Sequence, residues 1–192
     1  DTTFVLINHK VKNFSCNLKP MCGIFAYMGH EPLSITEVQK VLQILESEQE
    51  RLSEGSPLGG DGAGIAFLNK RSEFTVEKVG KTNTSPVYDL RLLLGKTKLS
   101  SCLILGHVRQ ASSEFEKTIE HKECTQPYKP LCSYNFNLVS AHNGIVQNHL
   151  DLKDKLNTSH SFESQKVRKI IDSEVIPHLF EELLSESKDT RK

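Results

Sequence analysis

The stretch AGIAFLNKRSEFTVEKVG (63–80) most constrains the fold. AGIAFL (63–68) and EFTVEKVG (73–80) carry strand patterns on either side of the turn-like NKRS. Two strands joined so closely commit the chain to a sheet. GIFAYM (23–28) is short, apolar and aromatic and reads as a buried strand. CLILGHVR (102–109) and NLVSAH (137–142) read as two more. Between them, Val38, Val41, Leu42, Leu45 and Leu52 recur at helical spacing across 34–52, and Ser34 with Glu37 makes a capping-box pattern at its start. SPVYDLRLLLG (85–95) fits a short helix closed by Gly95. VQNHLDLKDKL (146–156) and 162–187 read as helical, with Pro177 expected to kink or divide the second. Strands and helices mix without a steady βαβ alternation. The expected class is therefore a layered α+β fold rather than a doubly wound sheet.

The length of 192 residues suits one domain with a real core. Lys+Arg and Asp+Glu are each 24, so the formal net charge of zero argues against a nucleic-acid binder. No apolar run approaches the roughly 20 residues that cross a membrane, and the first twenty residues hold too short an apolar core for a secretory signal. The expected compartment is the cytoplasm, where Cys16, Cys22, Cys102, Cys124 and Cys132 stay reduced. Their odd number and irregular spacing do not form a disulfide framework. Residues 1–20 differ from the rest: Asn, Lys and Phe recur without a clean period.

Cys22 opens the strand pattern of 23–28, where the ordinary role of a cysteine is that of a small apolar residue. Met21 directly before it offers another. Were the chain to begin at Cys22, its α-amine, with an unperturbed pKa of about 7.7–8.0, would serve as a general base for its own thiol. In GHVRQAS (106–112), His107 and Arg109 alternate along a strand end and share a face. The ordinary reading of Arg109 is a surface residue; the functional one is a bidentate grip on a carboxylate. Asn143-Gly144 in SAHNGIVQN (140–148) is a common turn signal, but a helix rather than a strand follows it. An Asn amide and a Gly N–H there suit an oxyanion hole. Asp172 in IDSEVIPHL (171–179) is either a solvated charge or a binder of an ammonium group. GGDGAGIAF (59–67) holds four glycines in six residues, yet precedes a strand and lacks the Lys-Ser/Thr of a phosphate loop. It reads as a close backbone approach, with Asp61 fixing the turn. His121, Cys124 and Cys132 are the one plausible metal cluster, and their spacing matches no standard zinc pattern.

In this order, MCGIFAY, GGDGAGI, GHVRQAS, AHNGIVQNHLDLKDKL and IDSEVIPHL resemble the segments of the class II glutamine amidotransferases, the N-terminal-nucleophile (Ntn) hydrolases that release ammonia from glutamine. The resemblance runs from Met21 to about Leu179. It implies a four-layer αββα sandwich, with Cys22 as nucleophile and its α-amine as base. Asn143 and Gly144 become the oxyanion hole. Arg109 holds the α-carboxylate of L-glutamine and Asp172 its α-ammonium, with Ser112 as a hydroxyl near the substrate. It implies no metal and no organic cofactor, no nucleic acid and no membrane, and a synthase domain or subunit as partner to take the ammonia.

Departures stand beside the likeness. Gln110 replaces an aromatic residue of some members, and Ser113 and TQPY (125–128) replace elements of the sugar-phosphate branch. PLGG before Asp61 lacks the family's Arg. No strand pattern follows Leu179, which leaves the sheet open to being incomplete at the C-terminus. The region around 143–179 is nearest the glucosamine-6-phosphate synthase branch, whereas GHVRQAS leans to the amidophosphoribosyltransferase branch. A stand-alone amidotransferase fits the mixture as well. A degenerate or unprocessed interaction module is the non-enzymatic alternative. Residues 1–21, a propeptide or a mistranslated upstream segment, would leave the nitrogen of Cys22 a peptide amide unable to accept a proton. The domain proper is expected over 22–192.

Overall fold

The computed structural model describes residues 3–8, 22–51, 60–95, 99–132, 136–157 and 159–189. The strands are β1 (Thr3–Asn8), β2 (Gly23–Ser34), β3 (Gly62–Leu68), β4 (Phe74–Gly80), β5 (Ser100–Arg109) and β6 (Leu138–Asn143). The helices are α1 (Ile35–Arg51), α2 (Pro86–Leu94), α3 (His149–Lys155) and α4 (Val175–Asp189). Short 3-10 turns stand at Ser113–Thr118, Lys122–Cys124, Ser164–Val167 and Asp172–Glu174.

Strands β3 and β4 pair antiparallel around the expected turn, with Leu68 opposite Phe74. Asn69 builds that turn: its side-chain oxygen accepts the N–H groups of Arg71 at 2.8 Å and Glu73 at 3.2 Å. The four-stranded sheet runs β2-β5-β3-β4, antiparallel throughout. On one face Ala63, Ile65, Phe67, Ile104 and Val108 pack against Val38 and Leu42 of α1 and Val87, Leu90 and Leu94 of α2. On the other, Ala66, Leu103 and Leu105 meet Val139 and Ala141 of β6. A central strand covered on both sides needs apolar residues at every position, which is why β3 reads as an unbroken apolar run. Full burial of a side chain such as Ile65, Leu90 or Ile104 contributes about 1.5–3 kcal/mol. β6 pairs in parallel with β1, and α4 packs against β6. The result is a mixed arrangement around an antiparallel sheet, the α+β class expected.

Ser34 ends β2 and starts α1. Its N–H donates to the Glu37 carboxylate at 2.7 Å, and its hydroxyl accepts the Glu37 N–H at 3.5 Å, the capping box read from the sequence. Gly95 closes α2 as expected, donating its N–H to the Arg91 carbonyl at 2.8 Å.

Three expectations need correction. The 23–28 strand is not buried: among the described residues β2 lies at the sheet edge, paired with β5 alone, and Met28 is 81% exposed. The helix expected from Val146 begins at His149, after the turn that carries Asn143 and Gly144. The region 162–187 is not one helix divided at Pro177. The chain turns at Arg168, whose backbone is left-handed (φ 59°), and α4 starts at Val175. The cause is Glu174, whose buried carboxylate accepts the N–H of Ser164 at 3.1 Å, the N–H of Glu163 and the Ser164 hydroxyl. Those bonds fold 163–174 back on itself. Pro177 then falls in the first turn of α4, where no intrahelical N–H bond is lost.

The glycine-rich segment forms a bare strip. A Cβ on Gly64 would lie 2.1 Å from the Gln126 carbonyl oxygen, and one on Gly80 would lie 2.4 Å from that of Glu120. A Cβ on Gly62, opposite Gly80 in the ladder, would instead meet the Thr125 side chain, 2.5 Å from its hydroxyl oxygen. Residues 119–126 therefore lie with their backbone directly on β3 and β4. This is the close approach read from GGDGAGIAF. Asp61 fixes the adjoining turn: its N–H donates to the Arg109 carbonyl at 3.2 Å, and its carboxylate accepts the Ala111 N–H at 3.0 Å and meets Lys81 Nζ at 3.1 Å.

Candidate active site

Cys22 lies just ahead of β2. Because Gly23 pairs with Val108, its thiol stands at the end of β5, beside Arg109 and Gln110. The sulfur accepts the Gln110 N–H at 3.2 Å and donates to the Gln110 carbonyl at 3.3 Å. Cys22, Arg109, Ser112, Gly144 and Asp172 all line one cavity, together with Gln126, His142 and Ser173. Five of the six residues singled out in the sequence thus meet at one place. The sixth, Asn143, borders it: its side-chain amide donates to the Cys22 carbonyl oxygen at 2.5 Å.

Each charged group is held from behind. Arg109 is buried, and its guanidinium donates to the Thr118 carbonyl at 3.1 Å and the Thr118 hydroxyl at 2.7 Å. Asp172 is equally buried; one oxygen accepts the Val146 N–H at 2.7 Å and so ties down the loop that follows Gly144. The next residue, Ser173, places its hydroxyl 3.1 Å from Nδ1 of His142. Gln126 brackets the same histidine, donating to its carbonyl at 3.0 Å and accepting its N–H at 2.6 Å. The His142 ring leaves no room for a side chain at position 144, where a Cβ would sit 2.7 Å from Nε2. Gln126, His142 and Ser173 are site residues that sequence reasoning passed over, although two of them stand inside the quoted motifs. His107, alternating with Arg109, is completely buried and is held neutral, its pKa drawn down to about 3 by desolvation and then by Arg109 and His142.

Burial pushes the Cys22 thiol above the usual range, against the opposing pull of the Gln110 N–H and Arg109. The sign gives a test. With residues 1–21 attached, Cys22 should react slowly with iodoacetamide at pH 7, the rate rising roughly tenfold per pH unit to beyond pH 9. Peptide mapping follows the residue; a plateau below pH 8 would mean that the thiolate is already formed.

The cysteines expected to be free are so where described: Cys22, Cys102, Cys124 and Cys132; Cys16 lies outside the described residues. The trio His121, Cys124 and Cys132 does not assemble. Cys124 lines the cavity with Cys22, whereas Cys132 lies beside His160, His178 and Glu181. Among the described residues no helix is long and apolar enough to cross a membrane.

No family model matches the chain. Individual proteins do. It is 32% identical over 164 residues to the glutamine–fructose-6-phosphate aminotransferase (isomerizing) of Thermus thermophilus, a match covering 84% of this chain and 22% of that protein. The proteins of the same name from Methanococcus maripaludis and Thermosynechococcus vestitus are 29% and 31% identical, over 88% and 87% of this chain and 24% and 22% of their own. The chain thus spans about a fifth to a quarter of the length of the curated relatives it matches. Likeness over more than four-fifths of the chain, with the motifs from Cys22 to Asp172 in order, has one consequence: the chain belongs to the class II glutamine amidotransferases.

Proposed function

We propose that the chain, once it begins at Cys22, hydrolyses L-glutamine to glutamate and ammonia through a glutamyl thioester on Cys22. The observation that carries this is a thiol sharing one cavity with a buried cation, Arg109, and a buried anion, Asp172. A zwitterionic α-amino acid offers the complementary pair, its carboxylate to Arg109 and its ammonium to Asp172. The side-chain amide then lies toward Cys22. The α-amine takes the thiol proton, and the sulfur adds to the amide carbon. Asn143 has two side-chain N–H donors. One holds the Cys22 carbonyl, and the other joins the Gly144 N–H in stabilising the oxyanion. Collapse expels ammonia with the proton carried by the amine. Water then adds to the thioester, and glutamate leaves as the thiol is restored. Ser112 supplies a hydroxyl at the cavity wall.

Within 22–192, the layer order of α1 and α2, the four-stranded sheet, β6, then α4 supports reading the fold as an αββα Ntn sandwich. The relatives' names support the glucosamine-6-phosphate synthase branch. In that reading the ammonia passes to a synthase domain or subunit that takes fructose 6-phosphate. Residues 1–21, as a removed leader or a mistranslated upstream segment, are absent from the active species, whose Cys22 amine is free, and the compartment is the cytoplasm. While the leader is attached, the peptide amide at Cys22 and its raised thiol pKa favour an inactive, unprocessed module.

Arg109→Lys separates the roles. A point charge replaces a fork whose plane Thr118 sets, so KM for glutamine should rise about tenfold to a hundredfold, the worth of a charge-assisted hydrogen bond. Steady-state glutaminase assays give the value, and an unchanged KM removes Arg109 from the carboxylate site.

A further inference from the structure

We propose that Cys132, His160, His178 and Glu181 form a four-coordinate site for a divalent transition metal, with zinc the ion that fits. Their ligand atoms all lie within 4.8 Å of one another. The Cys132 sulfur is 3.2 Å from Nδ1 of His178, Nδ1 of His160 is 3.2 Å from that same nitrogen, and 3.6 Å separates Nδ1 of His160 from a Glu181 oxygen. Zinc bonds of about 2.0–2.3 Å in a tetrahedron set ligand-to-ligand edges of about 3.3–3.7 Å. Three of the six edges, at 3.2–3.6 Å, are close to those of a coordination shell, and the widest, within 4.8 Å, would shorten as the ligands close on the ion.

Hydrogen bonding alone does not explain the cluster. Nδ1 of His178 faces both a thiol and a second imidazole, yet one ring nitrogen offers either one hydrogen or one lone pair. Glu181 is completely buried, and its carboxylate faces only the Cys132 thiol and the His160 imidazole, with no fixed cation beside it among the described residues. A buried carboxylate in that state is costly unless a cation meets it. The donor set also balances charge. One thiolate and one carboxylate neutralise a dication, and two neutral imidazoles complete a four-ligand shell that is itself neutral. On binding, the Cys132 proton leaves to solvent.

The remaining ring nitrogens face carboxylates. Nε2 of His178 is 4.0 Å from Glu174, and Nε2 of His160 is 3.7 Å from Glu182. Carboxylates behind metal-bound imidazoles orient the rings and raise their basicity. His178 and Glu181 stand three residues apart on α4 and so share a helix face. Cys132 and His160 come from the segments before β6 and after α3. The ion would clamp both segments to the helix that continues from Asp172. None of the four residues lines the cavity of Cys22, so the site stands independently of the glutaminase reading.

The test uses the full chain, reduced and metal-free, in a Cys22→Ala background that removes the nucleophile's thiol from competition. Added zinc should bind with one ion per chain at micromolar free metal and raise the melting temperature in a concentration-dependent way. Cobalt(II) should give the intense visible bands of a tetrahedral centre and a thiolate charge-transfer band in the near ultraviolet. Cys132→Ser should abolish the charge-transfer band, and Glu181→Gln should weaken zinc binding at least tenfold. Failure of the wild-type ligand set to bind zinc, an octahedral cobalt spectrum without the thiolate band, or zinc uptake unchanged in Cys132→Ser would each overturn the proposal. Because the first two are read on the intact ligand set, misfolding of a variant cannot mask the answer.

Discussion

Cys22→Ala should reduce glutamine hydrolysis to background in a chain beginning at position 22, a loss of several orders of magnitude measured as glutamate released. The same chain with Cys22 intact should form a covalent adduct with a glutamine-like electrophile, located at Cys22 by mass spectrometry. The variant forms none. The effect is large because the sulfur is the attacking atom, and the rest of the cavity binds or stabilises without a substitute. Arg109 and Asp172 would still hold the amino acid, so the variant should bind glutamine while failing to consume it. Full activity in Cys22→Ala would end the thioester mechanism. Activity equal with and without residues 1–21 would leave the thiol but remove the α-amine as its base.

Glu174→Ala should be the most damaging change outside the cavity. The carboxylate is 2% exposed and accepts two backbone N–H groups and one hydroxyl. Alanine leaves those N–H groups buried without a partner, at about 1–3 kcal/mol each, so the expected loss is about 3–5 kcal/mol. For a chain of this size that corresponds to a fall in melting temperature on the order of 10 °C. Glu174→Gln keeps one accepting oxygen and should lose roughly half as much. If calorimetry finds Glu174→Ala as stable as the parent, the 163–174 fold-back has some other cause.

What could be read from the sequence is what neighbouring residues decide. The β3–β4 turn depends on Asn69 and its next few residues, and the start of α1 depends on Ser34 and Glu37. Both are local, and both stand. The meeting of Cys22, Arg109, Ser112, Gly144 and Asp172 was legible only because their motifs came in a recognisable order; no spacing rule predicts that cavity. The misreadings share a different cause. β2 sits at an edge because of which strands pair, a fact held nowhere within 23–28. The break before α4 is made by a side chain reaching back ten residues to Ser164. Cys132, His160, His178 and Glu181 are drawn from two loops and a helix, and as a set their spacing matches no standard zinc pattern. Periodicity describes which face of an element is apolar. It does not describe which side chain captures a distant backbone.

The bare strip of Gly62, Gly64 and Gly80 carries a consequence for how this protein can vary. Where a loop is held by side chains, its own residues are the sensitive ones. Here Gly64 and Gly80 meet backbone atoms of Gln126, Ile119 and Glu120, so at those two positions the burden of identity passes to the strands. At Gly64 even one methyl would stand 2.1 Å from a carbonyl oxygen, and every other amino acid adds at least that. The exposed Glu120 meets the strip through its backbone carbonyl, an atom group that all residues share. Substitution should therefore be tolerated at the exposed Glu120, His121 and Lys122 and nearly forbidden at Gly64 and Gly80, so that tolerance of change lies in the outer part of the covering segment and intolerance in the smallest residues of the sheet.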